Sequence, residues 1–275
     1  MALKFDSLSD RNRKMKWWLL AVIPIAALIS HYNKSGEKKQ ESSGTEISVT
    51  VLNSAGIDYV YLKELNVGNV KVLDSIDIRK ESRAIFSPDN KETSFYLIHS
   101  GQKQPIVLLV EPGEKVKLVM QAKDNNSTYE VSGSPGSLLL KDFQKQMQKV
   151  QTRIDSLKKV FESVRNTDKY AELRPRLDMT YKTIFEDEQA MARRFIDQHP
   201  QSLASLFVIN QRLGPQRLLT IEQDFSLFSR LDSALMQKYP NNKHAIDHHS
   251  RVSDAKRKIA EQQLAKENPK LKKQE

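Results

Sequence analysis

The chain has 275 residues, of which 39% are hydrophobic, which is enough to form one or two folded domains and excludes a disordered chain. It contains no cysteine, which excludes disulfides, a thiolate nucleophile and cysteine-ligated metal sites. The formal charge of +10 is concentrated at the ends, with +5 in residues 1–40 and +4 in residues 243–275. A nucleic-acid groove needs its cations clustered on one folded face, so this distribution argues against nucleic acid as a partner.

An uncharged apolar segment occupies residues 17–30, directly after a basic stretch at residues 11–16. Cations on the N-terminal side of such a segment stay on the cytoplasmic face. The pattern therefore predicts a single-pass inner-membrane protein whose C-terminal body lies in the periplasm. We expect the membrane anchor to be formed by Trp17, Trp18, Leu19, Leu20, Ile23, Ile25, Leu28 and Ile29.

The length of this segment leaves a cleaved signal peptide as the alternative. Its fourteen residues form a helix about 21 Å long, whereas the hydrocarbon core of a bilayer is about 30 Å thick. Cleavage needs small residues at the positions one and three before the cut. The candidate pairs for these positions are Leu28 with Ser30 and Ala26 with Leu28, and both are poor. An uncleaved anchor within residues 1–32 is therefore favoured. A buried soluble helix is less favoured still, because it would normally show one polar face.

A polar linker and then a β-rich region follow the anchor. Residues 33–46 carry Gly and Ser without apolar periodicity, which predicts a flexible linker. Residues 47–133 read almost wholly as strands, with period-two series such as Val116, Leu118, Met120 and Val72, Asp74, Ile76, Ile78. Pro112 and Gly113 predict a type II turn. Seven or eight strands in about 85 residues predict an antiparallel β-sandwich or an open barrel.

The apolar period changes to that of a helix at residues 133–137, and residues 134–267 are predicted to form a helical domain. A heptad seam contains Leu140, Phe143, Met147, Val150, Ile154, Leu157, Phe161 and Val164. Ser137 is the expected N-cap. After a turn region at residues 166–175, a second seam contains Leu177, Tyr181, Ile184, Met191 and Phe195 and is broken at Glu188. The two helices predict an antiparallel hairpin, with an intermolecular coiled coil as the alternative.

Three further helices are expected beyond His199, at about residues 202–213, 221–239 and 245–266. Residues 268–275 are Lys-rich and predict a disordered basic tail. The expected fold class is therefore α+β, in the order anchor helix, β-sandwich or open barrel, helical hairpin and further helices.

Few residues are candidates for chemistry. His244, His248 and His249 include a pair four residues apart, which could hold a metal with Asp247 or Asp254, but no third ligand is indicated and the surroundings are polar. Glu186, Asp187 and Glu188 are expected on a solvated helix face. Ser134 and Ser137 lie in a turn that lacks the G-x-S-x-G order of a nucleophile elbow and is explained as an interdomain joint. No catalytic, cofactor-binding or metal-binding residue is predicted.

The order of elements resembles the N-terminal accessory region of envelope thioredoxin-like thiol-disulfide oxidoreductases of Gram-negative bacteria. The resemblance covers about residues 46–260 and rests on TVLNSAGIDYVYLKELNVGNVKVLDSIDI, VEPGEKVKLVM, YEVSGSPGSLLLKDF, a long helix and HPQSLASLFVI. In that family the accessory region, often described only as a domain of unknown function, precedes a thioredoxin fold with a C-x-x-C motif. The resemblance implies export and a small β-domain before helices. Thiol-disulfide exchange needs a thiolate, so this chain cannot perform it alone.

These observations predict a non-enzymatic, membrane-anchored periplasmic protein that presents a surface to an envelope partner. The alternative is a noncatalytic accessory component of a thiol-disulfide redox system, acting with a separate thioredoxin-like protein. A third hypothesis is a ligand-binding module with a pocket between the β-domain and the helical hairpin. No cofactor is expected, and the oligomeric state is left open.

Overall fold

The computed structural model describes residues 44–100, 105–122 and 129–267. Its described residues form two compact units, one comprising residues 44–188 with 212–216 and the other residues 189–211 with 217–267. Strands dominate the first part of the chain and helices the rest, so the expected α+β class is confirmed. The predicted anchor, most of the predicted linker and the predicted tail lie outside the described residues.

The first unit contains two four-stranded sheets. Its strands are β1 (Glu46–Leu52), β2 (Tyr59–Leu65), β3 (Val70–Asp77), β4 (Arg83–Phe86), β5 (Ser94–Ser100), β6 (Ile106–Val110), β7 (Lys115–Gln121) and β8 (Tyr129–Ser132). The strand orders are β4-β1-β7-β8 and β3-β2-β5-β6. Alternate residues of both sheets, among them Val49, Leu118, Leu62 and Leu108, belong to one buried core. The two sheets therefore pack face to face as a sandwich.

The expectation that all strands would be antiparallel is wrong for one central pair. β1 and β7 run parallel, with Ile47 opposite Val116 and Val51 opposite Met120, while the other sandwich pairs are antiparallel. Period-two alternation is the same for both directions, so the sequence pattern does not distinguish them. The predicted turn before β7 is confirmed, because Gly113 has φ 85° and the Glu114 N–H donates to the Glu111 carbonyl at 3.2 Å.

A β-bulge in β3 changes which side chains point into the sandwich. Leu62 lies opposite Asp74, but the next residue, Lys63, lies opposite Val72, so Leu73 is the additional residue. The period-two pattern predicts that Val72, Asp74 and Ile76 point to the same face, and this prediction is wrong at Val72. The bulge turns Val72 to the outer face while Asp74 stays on the inner one.

Two long helices follow the strands, α1 (Pro135–Val164) and α2 (Tyr170–Gln198). Phe161 packs with Leu177 and Tyr181 in a buried cluster, which confirms the antiparallel hairpin. Pro175 lies inside α2, as its sixth residue, rather than ending the turn region, and its missing N–H removes one helical hydrogen bond.

The start of α1 is fastened to strand β6. Ser134, not the expected Ser137, is the N-cap, because its hydroxyl accepts the Ser137 N–H at 3.3 Å. Ser137 instead bonds to the backbone of Leu109, accepting its N–H at 3.1 Å and donating to its carbonyl at 3.0 Å. A Cβ on Gly136 would lie 2.9 Å from the Leu109 side chain, so glycine permits this close approach. The expected interdomain turn is thus a helix-to-strand joint within one unit.

The second unit is helical. It contains α3 (Ala204–Ile209), α4 (Phe225–Lys238) and α5 (Lys243–Glu267), and the short strands β9 (Arg212–Leu213) and β10 (Gln216–Arg217) precede α4 in the chain. The helix expected to reach residue 213 ends at Ile209 because the Asn210 and Gln211 side chains donate to the carbonyls of its last turn. Arg193 donates to the Asp224 carboxylate at 2.8 Å, which ties α2 to the start of α4.

Candidate functional site

None of the predicted membrane-anchor residues, Trp17, Trp18, Leu19, Leu20, Ile23, Ile25, Leu28 and Ile29, lies in the described part of the chain. Within the described ranges, no helix combines the length and apolar character needed to cross a bilayer. The anchor therefore stays a prediction.

His248 and His249, near the C-terminus, form hydrogen bonds with a backbone carbonyl and a carboxylate respectively. His248 on α5 is fully buried, and its Nε2 donates to the Phe228 carbonyl at 3.2 Å. Burial lowers the pKa of His248. His249 lies 3.0 Å from the Asp232 carboxylate. Residues 44–100, 105–122 and 129–267 contain no group of three His, Cys, Asp or Glu side chains that could hold a metal ion.

The expected solvated carboxylate cluster on α2 is corrected at one position. Glu186 and Asp187 are exposed, but Glu188 is only 5% exposed. The buried face of α2 continues from Ile184 through Glu188 to Ala192, four residues at a time, so Glu188 takes a place that the pattern reserves for an apolar side chain.

A cleft of about 370 Å³ opens between the two sheets at the β3 and β4 edge of the sandwich. We call it the edge cleft; its lining residues are Leu62, Glu64, Lys71, Leu73, Asp74, Phe86, Ser87, Pro88, Asp89 and Tyr96. The register places Glu64 beside both Lys71 and Tyr96 on the inner face. The inner face is thus apolar in the sandwich core and becomes charged where the cleft opens.

The charges at the edge cleft are mainly negative. Glu64, Asp74 and Asp89 carry three carboxylates, and Lys71 carries one ammonium group. Burial raises the pKa of Tyr96, and the negative charges of Glu64 and Asp89 raise it further. The cleft therefore has the opposite sign to the whole chain, whose formal charge is +10.

The outer face of the same sheet carries an aromatic cluster. We call it the aromatic face; its residues are Tyr59, Tyr61, Lys63, Val72 and His99. Tyr61 lies between two rings, with centroid distances of 6.2 Å to Tyr59 and 6.3 Å to His99. The Lys63 Nζ lies 5.8 Å from the Tyr61 centroid. Tyr59 is 39% exposed, so part of this cluster is available to another molecule.

Neither surface was predicted from the sequence. The hypothesis of a pocket between the β-domain and the helical hairpin differs from the edge cleft, which lies at the opposite edge of the sandwich from α1. The sequence does show three charged residues, Glu64, Lys71 and Asp74, on strands whose polar and apolar residues otherwise alternate. It does not show that they share a face, because the bulge decides to which face each side chain points.

No protein-family model matches the chain, and no curated protein matches its sequence.

Proposed function

We propose that the protein is a non-enzymatic interaction protein of the cell envelope, held at the inner membrane by residues 17–30, with its folded body in the periplasm. The observation that carries the interaction role is the exposed aromatic face. Tyrosine is enriched at the energetic centres of protein interfaces, because its ring buries a large area at small entropic cost.

The chemistry of the aromatic face supports a protein partner. Tyr59 and Tyr61 project from one strand at a spacing of two residues, and Arg79 lies 5.7 Å from the Tyr59 ring. Val72 adds an apolar side chain that is 57% exposed. Because Arg79 is already paired with Asp77, Lys63 is the cation of this set that favours an acidic group, and the large rings and the apolar neighbour fit an apolar partner surface.

Photo-crosslinking in intact cells tests this interaction. A photoreactive residue placed at position 59 or 61 should trap the same envelope protein, and Lys63→Glu should reduce the yield by reversing one charge. Position 179 is the matched control, because Met179 is 63% exposed on α2 and lies outside the aromatic face. Crosslinking no stronger at positions 59 and 61 than at position 179 would contradict the proposal.

The second candidate function is an accessory role in a thiol-disulfide redox system. It is favoured by the resemblance of residues 46–260, and because the chain has no cysteine its part in such a system would be noncatalytic. Recovery of a thioredoxin-like protein as the crosslinked species would select this role, whereas a partner without a redox-active cysteine pair would count against it.

The anchor is tested by the mass of the mature protein. A mass that begins at Met1 or Ala2 supports an uncleaved anchor, and one that begins near His31 supports a cleaved signal peptide. Protease added to spheroplasts should digest the folded body. Protection of that body in intact spheroplasts would contradict the periplasmic location.

A further inference from the structure

A titratable side chain, His248, is buried where α5 contacts α4. It is 0% exposed, and its ring stacks on Phe228 of α4 with a centroid distance of 5.9 Å and an interplanar angle of 22°. Leu231 and Leu235 of α4 and Val252 of α5 are buried on the same two helices. His248 therefore occupies a place in the core of the second unit, where water does not solvate a charge.

The hydrogen bonding of His248 fixes the position of its proton. Its Nε2 lies 3.2 Å from the Phe228 carbonyl oxygen, which can only accept, so Nε2 carries the proton. Nδ1 is then the unprotonated nitrogen of a neutral imidazole. Among the residues that the structure describes, this Nδ1 is buried without a hydrogen-bond partner. A second proton would therefore create a buried charge and a buried N–H without an acceptor.

The carboxylates that act on His248 are paired with other side chains. Asp232, on α4, lies 3.0 Å from His249, and Asp247, on α5, lies 3.2 Å from Arg251. The charge of Arg251 further disfavours a second proton on His248, whereas the two carboxylates favour it. α3 also contacts α5, but it carries no titratable side chain. The protonated form of His248 therefore has no carboxylate of its own.

The protonation of His248 is linked to the contact between α4 and α5. Burial lowers the pKa of His248, although its hydrogen bond to the Phe228 carbonyl opposes the shift. The ordinary pKa of a released imidazole is about 6.5. The contact is therefore at full strength above about pH 6.5 and is weakened as the pH falls below that value, because only the released state takes up the proton.

We propose that protonation of His248 separates α5 from α4, so that the second unit opens in mildly acidic surroundings. The proton enters at Nδ1, and water that reaches the ring then solvates the imidazolium. Leu231 and Val252 become exposed in the opened state. Acid thus creates an apolar surface that is buried at neutral pH. This response is independent of the aromatic face, which belongs to the first unit.

Hydrogen exchange of the full-length protein in detergent, at about pH 7 and about pH 5, tests this proposal. Each exchange rate is divided by the intrinsic rate of the same amide at the same pH. Protection of α5 should fall at the lower pH by more than about threefold and by at most about 25-fold, the limit for one imidazole that takes no proton when buried. Strands β1 to β8 are the internal reference and should change by less than about twofold.

Substitutions at the three histidines of α5 assign the response to one ring. His248→Gln keeps a donor for the Phe228 carbonyl but cannot ionise, so it should abolish the fall in protection. His248→Phe replaces the ring by an apolar ring and should have the same effect. His249→Gln and His244→Gln are the matched controls and should retain the fall. His249 is half exposed and pairs with Asp232, so its protonation does not oppose the contact.

The proposal is overturned if α5 keeps its protection at about pH 5, or if the strands lose as much protection as α5 does. It is also overturned if both variants at position 248 retain the fall, or if either control variant abolishes it. A variant that is less stable at every pH has lower protection at both pH values, but the ratio between the two values still reports the ionisation.

Discussion

The two edges of the sandwich differ although they belong to the same sheet. One row on the outer face runs across β3, β2, β5 and β6 through Val72, Lys63, Leu97 and Val107. Val72 is 57% exposed, whereas Val107 is 0% exposed. Equivalent positions in one sheet are thus core at one edge and surface at the other. This difference indicates that the β6 edge serves stability and the β3 edge is available for binding.

The closed edge is covered by the first half of α1. The Ser137 hydroxyl bonds to both the N–H and the carbonyl of Leu109 on β6. On the neighbouring edge strand β8, the Tyr129 hydroxyl donates to Gln144 at 2.6 Å, and Glu130 pairs with Lys141. The Ser137 hydroxyl thus pairs backbone groups that face away from the neighbouring strand of β6, and the two side-chain contacts hold α1 over β8.

The open edge is protected by different means. Leu73 forms a bulge in β3, and Lys71 and Asp74 place charges along the same strand. Bulges and charges on an edge strand hinder pairing with the strands of other chains. The edge can therefore remain exposed, with a cleft beside it, without promoting aggregation.

The largest expected effect of a single substitution is at Gly133, in the joint of the closed edge. Its φ is +80°, and a Cβ would lie 2.0 Å from the Lys115 carbonyl oxygen. Gly133→Ala should lower the free energy of unfolding by about 3 kcal/mol or more. Gly68→Ala is the matched control on the open edge, with φ +79° and nothing within 4 Å, and should cost about 1 kcal/mol. Urea unfolding measures both, and equal costs would show that the joint is not rigid.

The next effect is the loss of the serine that fastens α1 to β6. Ser137→Ala leaves the Leu109 N–H without its acceptor, whereas the Leu109 carbonyl still accepts from the Ser134 hydroxyl at 2.8 Å, and the substitution should cost about 1–3 kcal/mol. Ser87→Ala, at the exposed mouth of the edge cleft, should change stability by less than about 0.5 kcal/mol. Hydrogen exchange at the Leu109 amide should accelerate only in the first variant. An unchanged rate there would contradict the proposed role of the hydroxyl.

A direct test of the comparison uses one substitution at the two ends of the cross-strand row. Val107→Thr buries a hydroxyl and should cost about 1–3 kcal/mol. Val72→Thr places the same hydroxyl in water and should change the free energy of unfolding by less than about 0.5 kcal/mol. Chemical unfolding of the two variants gives the difference directly. If the two costs are similar, the exposed end of the row is covered in solution.

Local patterns in the sequence predicted much of this fold, and long-range pairing accounts for what they missed. Gly113 and the seam of α1 act over a few residues, so the turn and the hairpin followed from spacing. The parallel β1–β7 pair depends on partners more than sixty residues apart, as Ile47 and Val116 are. The edge cleft depends on one bulge residue, Leu73, whose displacement reverses the faces of its neighbours. From the sequence, Glu188 is expected on a solvated face because it is a carboxylate. Its position on α2 belongs to the buried face, and position decides its burial.

The smallest expected effect is the pH dependence contributed by Glu114 at the closed edge. Burial raises the pKa of Glu114, although hydrogen bonds with Ser134 and the Glu111 backbone oppose the shift. The native state therefore holds this proton more tightly than the unfolded chain. Its contribution to stability is present at low pH and is lost as pH rises from the ordinary carboxyl range through the raised pKa.

Glu114→Gln should remove this loss, because a neutral amide has no ionisation to disfavour and can still accept the Glu111 N–H. Relative to the unmodified chain, the variant should gain stability as the pH rises above the ordinary carboxyl range, by less than Ser137→Ala loses. Glu81→Gln on the exposed β3–β4 segment should show no such gain. Urea unfolding at a series of pH values measures the gain. A variant that is less stable at neutral pH would mean that the hydrogen bonds of the carboxylate outweigh its burial, and that the closed edge depends on a charge as the open edge does.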